Sequence, residues 1–168
     1  KKNNYQSEID CIRAIQVSQK TLIKSQKCRK GNIEVEPINF INANFGCCFD
    51  RARFIEKTLT YYGFKNRRVS LFATDKYGLF SLIIPNKDSH AATEAKTSRG
   101  WIGIESIEPY FVITDKNNNP LTFKQGLNLG FKFPEKTYNN FYYRGLISIS
   151  GLYSRHGRFH KPNFPFPD

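Results

Sequence analysis

One helix predicted from the sequence constrains this fold more than any other feature. Apolar residues recur in steps of four, three, four and three residues, at Cys48, Ala52, Ile55, Leu59 and Tyr62. Side chains with this spacing lie on one face of an α-helix, so we expect a helix from about residue 48 to residue 62 with that face buried. Gly63 follows at the position where helices commonly end. The rest of the chain must provide the surface that covers this apolar face.

Cys48 lies in the expected first turn of this helix. The partial positive charge and the unsatisfied N–H groups of a helix N terminus favour a thiolate over a thiol. Cys48 is therefore a candidate nucleophile. The plainer interpretation is a buried cysteine that serves as a small apolar residue at the end of the stripe. Residues elsewhere in the chain that could act with Cys48 have to distinguish these two interpretations.

Length and composition indicate one domain. The chain has 168 residues, among them 15 Phe, 9 Tyr and 1 Trp. This length is enough for a single domain with its own core and is short for two. The aromatic content predicts a β-rich core. We expect one α+β domain over residues 1–168, with an irregular, proline-rich tail at about residues 161–168.

Two segments before Cys48 are assigned from local signals. Residues 7 to about 27 carry isoleucines and leucines at helical spacing and acidic residues in the first turn, which predicts a helix with Ser7 as its N-cap. Pro37 and several asparagines stand between residues 32 and 44. They argue against a regular helix, so we expect an extended, looped segment there.

The sequence after residue 63 predicts strands separated by turns. We expect a hairpin of residues 68–73 and 78–84, then a second hairpin of residues 89–96 and 101–106. Further strands are expected at residues 110–114 and near residues 142–150. If the turn of the second hairpin centres on Ser98 and Arg99, Ala92 lies opposite Glu105 and His90 is its diagonal neighbour. Diagonal neighbours are within side-chain reach, so His90 and Glu105 are expected to form a hydrogen bond.

Thiol hydrolases and acyltransferases need a nucleophilic sulfur, an imidazole that exchanges its proton, and a polar group that orients the ring. Cys48, His90 and Glu105 supply these groups at a helix start, on a strand and on the next strand. The three residues are our candidate catalytic triad.

The residues around the triad resemble the transglutaminase-like branch of the papain-type cysteine enzymes. The family motif Gly-x-Cys-x-Asp-x-Ala corresponds to Gly46-Cys47-Cys48-Phe49-Asp50-Arg51-Ala52, which selects Cys48 over Cys47 as the nucleophile. The His-Ala motif corresponds to His90-Ala91, and the Trp-x-x-x-Asp strand to Trp101-Ile102-Gly103-Ile104-Glu105. The resemblance covers about residues 45–106. It implies a transglutaminase-like or papain-like fold, with N-terminal helices packed on an antiparallel sheet.

Secondary roles can be assigned to several residues near the triad. Glu105 stands where the family has Asp, and Asp88 and Glu94 are alternative orienting groups. Oxyanion stabilisation is expected from the Cys48 backbone N–H and one upstream side chain, for which Asn42 is the first choice and Asn44 the alternative. Asp50 is expected to cap the helix, and Trp101 to lie in the core or in a pocket wall.

The basic charge of the chain is compatible with an anionic partner but does not require one. Lys and Arg exceed Asp and Glu by 26 to 14, a net charge of +12. An envelope polyanion, an acidic substrate or an anionic membrane surface would match it, as would a solvated surface with no partner. The sequence contains no zinc-finger spacing, RRM-type aromatic run or heptads after a basic helix, so nucleic-acid binding is disfavoured. We expect no transmembrane segment and no cofactor. We also expect no metal site, because Gly157 and nearby prolines argue against a metal-binding helix that carries His156 and His160.

The cysteines leave the compartment open. Cys11, Cys28, Cys47 and Cys48 allow three full pairings, and a reactive Cys48 leaves at most one bridge among the others. The chain begins at Lys1 and contains no Met, which suits removal of a signal peptide from a longer precursor. We expect an exported protein, and a cytoplasmic location is the alternative.

These observations together predict a cysteine hydrolase or acyltransferase. It would attack an amide of a protein, peptide or cell-envelope substrate through a thioester, and hydrolysis is favoured because a short chain has little room for a second-substrate tunnel. A secreted toxin effector with the same triad would share the chemistry and differ in its target. The alternative from another class is an inactive binding module that holds an anionic envelope polymer or protein.

Overall fold

The computed structural model describes residues 4–24, 36–82, 89–134 and 138–151. Within these ranges the helices are α1 (Tyr5–Leu22), α2 (Pro37–Ala43), α3 (Cys48–Tyr61) and α4 (Phe123–Asn128). The strands are β1 (Asn66–Ala73), β2 (Ser89–Thr97), β3 (Gly100–Ile104) and β4 (Leu146–Ser150), and short 3-10 helices span Gly78–Leu82 and Tyr138–Tyr143. The four strands form one antiparallel sheet in the order β3-β2-β1-β4. The predicted α+β class is therefore correct.

Helix α3 is the element that the sequence predicted best. It begins at Cys48 and ends at Tyr61, and Gly63 follows with a left-handed φ of 82°. Ile55 and Leu59 are completely buried, and the helix packs against β1 and β2. The middle of the apolar face is therefore covered by the sheet. Tyr62, the last residue of the predicted stripe, is the C-cap after the helix and is 60% exposed, so its predicted burial was wrong.

Helix α1 differs from its prediction at both ends. It starts at Tyr5, where the Asn4 side chain accepts a hydrogen bond from the Gln6 N–H at 3.2 Å. Ser7 is inside the helix, and its hydroxyl donates to the Asn4 carbonyl at 2.7 Å instead of capping. The helix ends at Leu22, so the predicted end near residue 27 was too late.

The expected looped segment before Cys48 was wrong in its second half. Residues Pro37–Ala43 form helix α2, and Pro37 occupies its first turn. Proline suits this position because its N–H would have no partner inside the helix and its φ is already helical. Asn44 then ends α2 with a left-handed φ of 55°.

The first predicted hairpin was also wrong. Strand β1 pairs with β2, with Leu71 opposite His90, and its other edge pairs with β4, with Leu71 opposite Ser148. Both edges of β1 are thus taken, one by the next strand in the chain, β2, and the other by the more distant β4. Residues Gly78–Leu82 form a 3-10 helix, and the last part of the predicted strand, residues 83 and 84, lies outside the described residues.

The second predicted hairpin is confirmed in its register. Thr97 lies opposite Gly100 and Thr93 opposite Ile104, as the predicted turn requires. Strand β3 ends at Ile104, so the predicted strand end at residue 106 was too late. Residues 110–114 make only isolated bridges, so the strand predicted there was wrong. Near residues 142–150 the prediction holds for the second half alone, because Tyr142 belongs to the 3-10 helix that precedes β4.

The core lies on both faces of the sheet. Because successive strand side chains face opposite sides, Ala95 packs with the aliphatic residues of α1 and α3, whereas Ala92 packs with an aromatic cluster. The aromatic cluster contains Phe123, Phe133, Phe141 and Tyr142. The expected aromatic core is thus concentrated on one side of the sheet.

A buried ionic network joins α3 to β1. The Glu56 carboxylate accepts from Arg68 at 2.7 Å and from Arg53 at 3.3 Å, and all three side chains are buried. Arg53 also reaches the partly exposed Glu36 at 3.4 Å. Two buried guanidinium groups therefore depend on the charge of Glu56.

We expect Glu56→Gln to destabilise the protein by about 3 kcal/mol, because it leaves two buried cations without their central counter-ion. Urea unfolding measures the change. Glu36→Gln is the matched control, since it removes a half-exposed carboxylate from the same network and should cost less than about 1 kcal/mol. Equal losses in the two variants would contradict the central role of Glu56.

Candidate active site

Cys48 begins helix α3, as predicted, and is half-buried. The preceding residue, Cys47, is the N-cap, and its backbone N–H donates to the Asp50 carboxylate at 3.1 Å. The Cys47 thiol lies 3.5 Å from the same oxygen. Asp50 therefore caps the helix, as expected, and the Cys48 side chain projects from the first turn of a 14-residue helix.

The loop that leads into Cys48 is fixed by Arg51. This side chain is buried, and it donates to the Gly46 carbonyl at 2.9 Å and to the Ile23 carbonyl at 2.6 Å. Gly46 has no room for a side chain, because a Cβ there would lie 2.9 Å from the Asp50 Cβ. The glycine of the motif is therefore required by the close approach of the helix cap.

Helix α1 supports the same region from behind. The buried Gln19 amide donates to the Arg51 carbonyl at 2.8 Å and accepts from the Tyr110 hydroxyl at 3.0 Å. Burial raises the pKa of Tyr110, and the Arg51 guanidinium opposes that rise. The hydroxyl thus keeps the proton that it donates to Gln19. The start of α3 is held by polar groups from three segments of the chain.

His90 and Glu105 form the hydrogen bond that the hairpin register predicted. His90 Nε2 lies 2.7 Å from Glu105 Oε1, and both side chains are buried. The Ser106 and Ile107 backbone N–H groups donate to the same oxygen at 2.7 and 2.8 Å, so Oε1 is an acceptor. The proton of the His90 bond is then on Nε2, and Nδ1 is the ring nitrogen left to exchange a proton.

Tyr142 is the residue of this site that sequence reasoning missed. Its hydroxyl donates to the other carboxylate oxygen of Glu105, Oε2, and its ring centroid lies 6.0 Å from that of His90. Burial raises the pKa of Tyr142 well above its usual value, and the charge of the Glu105 carboxylate and the hydrogen bond to it raise it further. Glu105 precedes Tyr142 by 37 residues, so no local pattern in the sequence connects the two.

Ser106 links the three segments of the proposed triad. Its buried hydroxyl lies 2.6 Å from the Ala91 carbonyl, next to His90, and 3.5 Å from the Cys48 carbonyl. The Gln16 amide of α1 donates to the Glu105 carbonyl at 2.9 Å. The backbones that carry Cys48, His90 and Glu105 are thus connected through polar contacts of Ser106.

Of the two alternative orienting groups, Glu94 is bound by other partners. The buried Glu94 carboxylate binds the Arg67 guanidinium at 2.7 Å and accepts from the Phe123 N–H at 2.8 Å. Asp88 lies outside the described residues. Trp101 is half-buried, and the Arg67 guanidinium carbon lies 4.3 Å from the centroid of the Trp101 ring. The indole ring therefore packs against a cation.

The two asparagines proposed for the oxyanion site differ in their surroundings. Asn42 is exposed on α2, and its role stays a prediction. The Asn44 side-chain oxygen accepts from the Lys24 backbone N–H at 3.2 Å and so fixes the loop that follows α2. Its amide nitrogen is not the atom used in that contact.

The remaining cysteines and histidines do not form a second centre in the part of the chain that the structure describes. Cys11 is a free thiol there, and burial raises its pKa. Cys28, His156 and His160 lie outside the described residues. The described ranges contain no cluster of His, Cys, Asp and Glu that suits a metal ion, and none of their helices is long and apolar enough to cross a bilayer.

Comparison of the chain with protein-family models, curated proteins and solved structures gives no match. The transglutaminase-like resemblance therefore stays a prediction. The chemistry of the site has to be argued from its own geometry.

We expect Gly46→Ala to slow alkylation of Cys48 by iodoacetamide and to destabilise the protein by about 1–3 kcal/mol. The added methyl group displaces Asp50 and with it the cap of α3. Rates are measured by mass spectrometry that distinguishes Cys47 from Cys48, and stability is measured by urea unfolding.

The control is Gly130→Ala, because Gly130 is exposed and a Cβ there meets no atom within 4 Å. Its left-handed φ of 65° makes this substitution cost stability too, but the Cys48 rate should not change. A normal Cys48 rate in Gly46→Ala would contradict the packing argument.

Proposed function

We propose that this protein is a cysteine hydrolase or acyltransferase of the transglutaminase-like type that attacks an amide bond through a thioester. The observation that carries the proposal is the buried His90–Glu105 hydrogen bond of 2.7 Å beside the start of the Cys48 helix. A buried imidazole oriented by a carboxylate, close to a cysteine at a helix N terminus, is the arrangement that thiol catalysis needs. Packing of α3 on an antiparallel sheet supports the fold assignment.

The first half-reaction forms the thioester. His90 Nδ1 accepts the proton of the Cys48 thiol, and the thiolate attacks the carbonyl carbon of the substrate amide. The resulting oxyanion is stabilised by the Cys48 backbone N–H, with the Asn42 side chain as the proposed second donor and Asn44 as the alternative. The imidazolium of His90 then gives its proton to the leaving amine as the carbon–nitrogen bond breaks.

The second half-reaction releases the acyl group. His90 takes a proton from water or from an acceptor amine, the nucleophile attacks the thioester carbonyl, and the Cys48 sulfur leaves and is reprotonated. Throughout, Glu105 holds the ring through Nε2 and stabilises its charged form. Hydrolysis of a protein, peptide or cell-envelope amide is the reaction that we favour, with transfer to an amine as the alternative. Export remains part of the proposal.

The central test is the reactivity of Cys48 with iodoacetamide at pH 7. We expect Cys48 to react at least about tenfold faster than Cys11 in the same chain, because the helix N terminus and His90 favour the Cys48 thiolate, whereas burial raises the pKa of Cys11. His90→Gln should remove most of this advantage. Mass spectrometry of each alkylated cysteine gives both rates from one sample.

The control is His156→Gln, which replaces a histidine that the mechanism does not use. It should leave the Cys48 rate unchanged. Equal alkylation rates at Cys48 and Cys11 in the unaltered protein would contradict the proposal of an activated nucleophile.

A second candidate function is binding of an anionic polymer or protein without turnover. A cavity of about 710 Å³ lies between the N terminus of α1, the β2–β3 turn and residues 110–118. The exposed Arg13 and Arg99 line it, and no residue of its described lining carries a carboxylate. The Arg99 guanidinium lies 4.6 Å from the Tyr5 ring centroid, and the buried Tyr5 hydroxyl has no hydrogen-bond partner among the described residues. These groups favour an acidic ligand.

We expect the double variant Arg13→Gln/Arg99→Gln to bind a fluorescein-labelled poly-glutamate peptide at least about fivefold more weakly at low salt. Fluorescence anisotropy measures the binding. Lys65→Gln/Lys132→Gln removes the same charge from exposed positions outside the cavity lining and should have a smaller effect. Equal losses in the two double variants would show that net charge alone attracts the peptide.

A further inference from the structure

We propose that Tyr142 is a positioning residue of this site, which fixes the Glu105 carboxylate so that Glu105 in turn holds His90 ready to exchange a proton with Cys48. The inference rests on the proposed function. It adds a residue from the 3-10 helix Tyr138–Tyr143, far outside the motif-bearing residues 45–106.

The first argument is the division of the Glu105 carboxylate between its two oxygens. Oε1 accepts from His90 Nε2 and from two backbone N–H groups, of Ser106 and Ile107. Oε2 accepts from the Tyr142 hydroxyl. The terminal torsion of a glutamate is broad, so bonds to one oxygen alone leave the group free to pivot. A donor on the second oxygen fixes the plane of the carboxylate and therefore the direction of the His90 ring.

The second argument is that Tyr142 is itself held in place. Its ring stacks on Phe133, with centroids 4.3 Å apart and planes inclined by 14°. Phe141 meets it edge to face at 5.8 Å and lies at the same centroid distance from His90. Tyr142 is 6% exposed. A side chain locked by packing can set the geometry of its partner, whereas a mobile one cannot.

The third argument is electrostatic. Burial and the Glu105 carboxylate raise the pKa of Tyr142, so its hydroxyl keeps its proton and remains a donor. The hydrogen of this bond points at Glu105 and contributes a positive potential to the site. Without the hydroxyl, the potential becomes more negative, which raises the pKa of every acidic group near it. A role in packing alone would not change these pKa values.

The test is the pH dependence of Cys48 alkylation by iodoacetamide in Tyr142→Phe, which keeps the ring and removes the oxygen. We expect the inflection to move to higher pH and the rate below it to fall about tenfold, the effect of losing one charge-assisted hydrogen bond. Tyr143→Phe is the matched control. Its hydroxyl comes from the same 3-10 helix and donates to the Phe133 carbonyl at 2.6 Å, so its loss should leave the inflection unchanged.

A second variant tests the same bond without removing it. Site-specific incorporation of 3-fluorotyrosine at position 142 makes the phenol a stronger donor and keeps its shape. The inflection should then move to lower pH, opposite to the shift in Tyr142→Phe. This sign does not depend on whether Tyr142→Phe folds, and near-ultraviolet circular dichroism checks the packing of each variant.

A double-mutant cycle tests whether Tyr142 acts through Glu105. Glu105→Asp shortens the side chain by one methylene, so the carboxylate cannot keep both His90 and Tyr142 as partners. In this background, removal of the Tyr142 hydroxyl should change the Cys48 rate by less than about threefold. An undiminished tenfold effect there would mean that Tyr142 acts by another route.

Failure of this inference is distinguishable from failure of the proposed function. Suppose that Cys48 is alkylated faster than Cys11 in the unaltered protein, and that Tyr142→Phe leaves the inflection of the Cys48 pH–rate profile unchanged. Tyr142 then has no positioning role, and the proposed thiol chemistry is retained. The inference also falls if Tyr143→Phe shifts the inflection as much as Tyr142→Phe. If Cys48 is not activated in the unaltered protein, both proposals fall together.

Discussion

A buried carboxylate, that of Glu105, is the group on which the candidate site depends. A carboxylate removed from water needs donors on both oxygens, since the loss of hydration is otherwise costly. Here Oε1 takes the His90 ring and two backbone N–H groups, and Oε2 takes the Tyr142 hydroxyl. Satisfying this group therefore brings β2, the residues after β3 and the 3-10 helix before β4 to one place.

The nucleophile side of the site depends on a second buried polar group, the Arg51 guanidinium. It holds the Gly46 and Ile23 carbonyls, and Gln19 of α1 holds the Arg51 carbonyl in turn. Helix α1 also reaches the Glu105 side, through Gln16. Helix α1 thus supports both the start of α3 and the segment that carries Glu105. This arrangement explains why buried glutamines occur on a helix whose other buried residues are mainly isoleucines.

The errors in the predicted fold share a physical origin. The expected partner of β1 was the segment immediately after it, yet β1 pairs with β2 and β4. The segment with Pro37 was expected to be irregular, yet proline suits the first turn of α2. In both cases the local signal did not decide the element. Pro37 begins a helix that it was expected to prevent, and β1 takes its partners from strands that do not directly follow it.

By itself the sequence determined the elements whose causes are local. The four-three spacing of apolar residues specified α3 with Cys48 at its start, and the turn at Ser98 and Arg99 specified the β2–β3 register and hence the His90–Glu105 bond. Only the tertiary structure decided that Tyr142 completes the Glu105 site and that Glu94 is bound elsewhere, by Arg67. Periodicity and turn chemistry act over a few residues, whereas these contacts depend on the packing of the whole sheet and its two core layers.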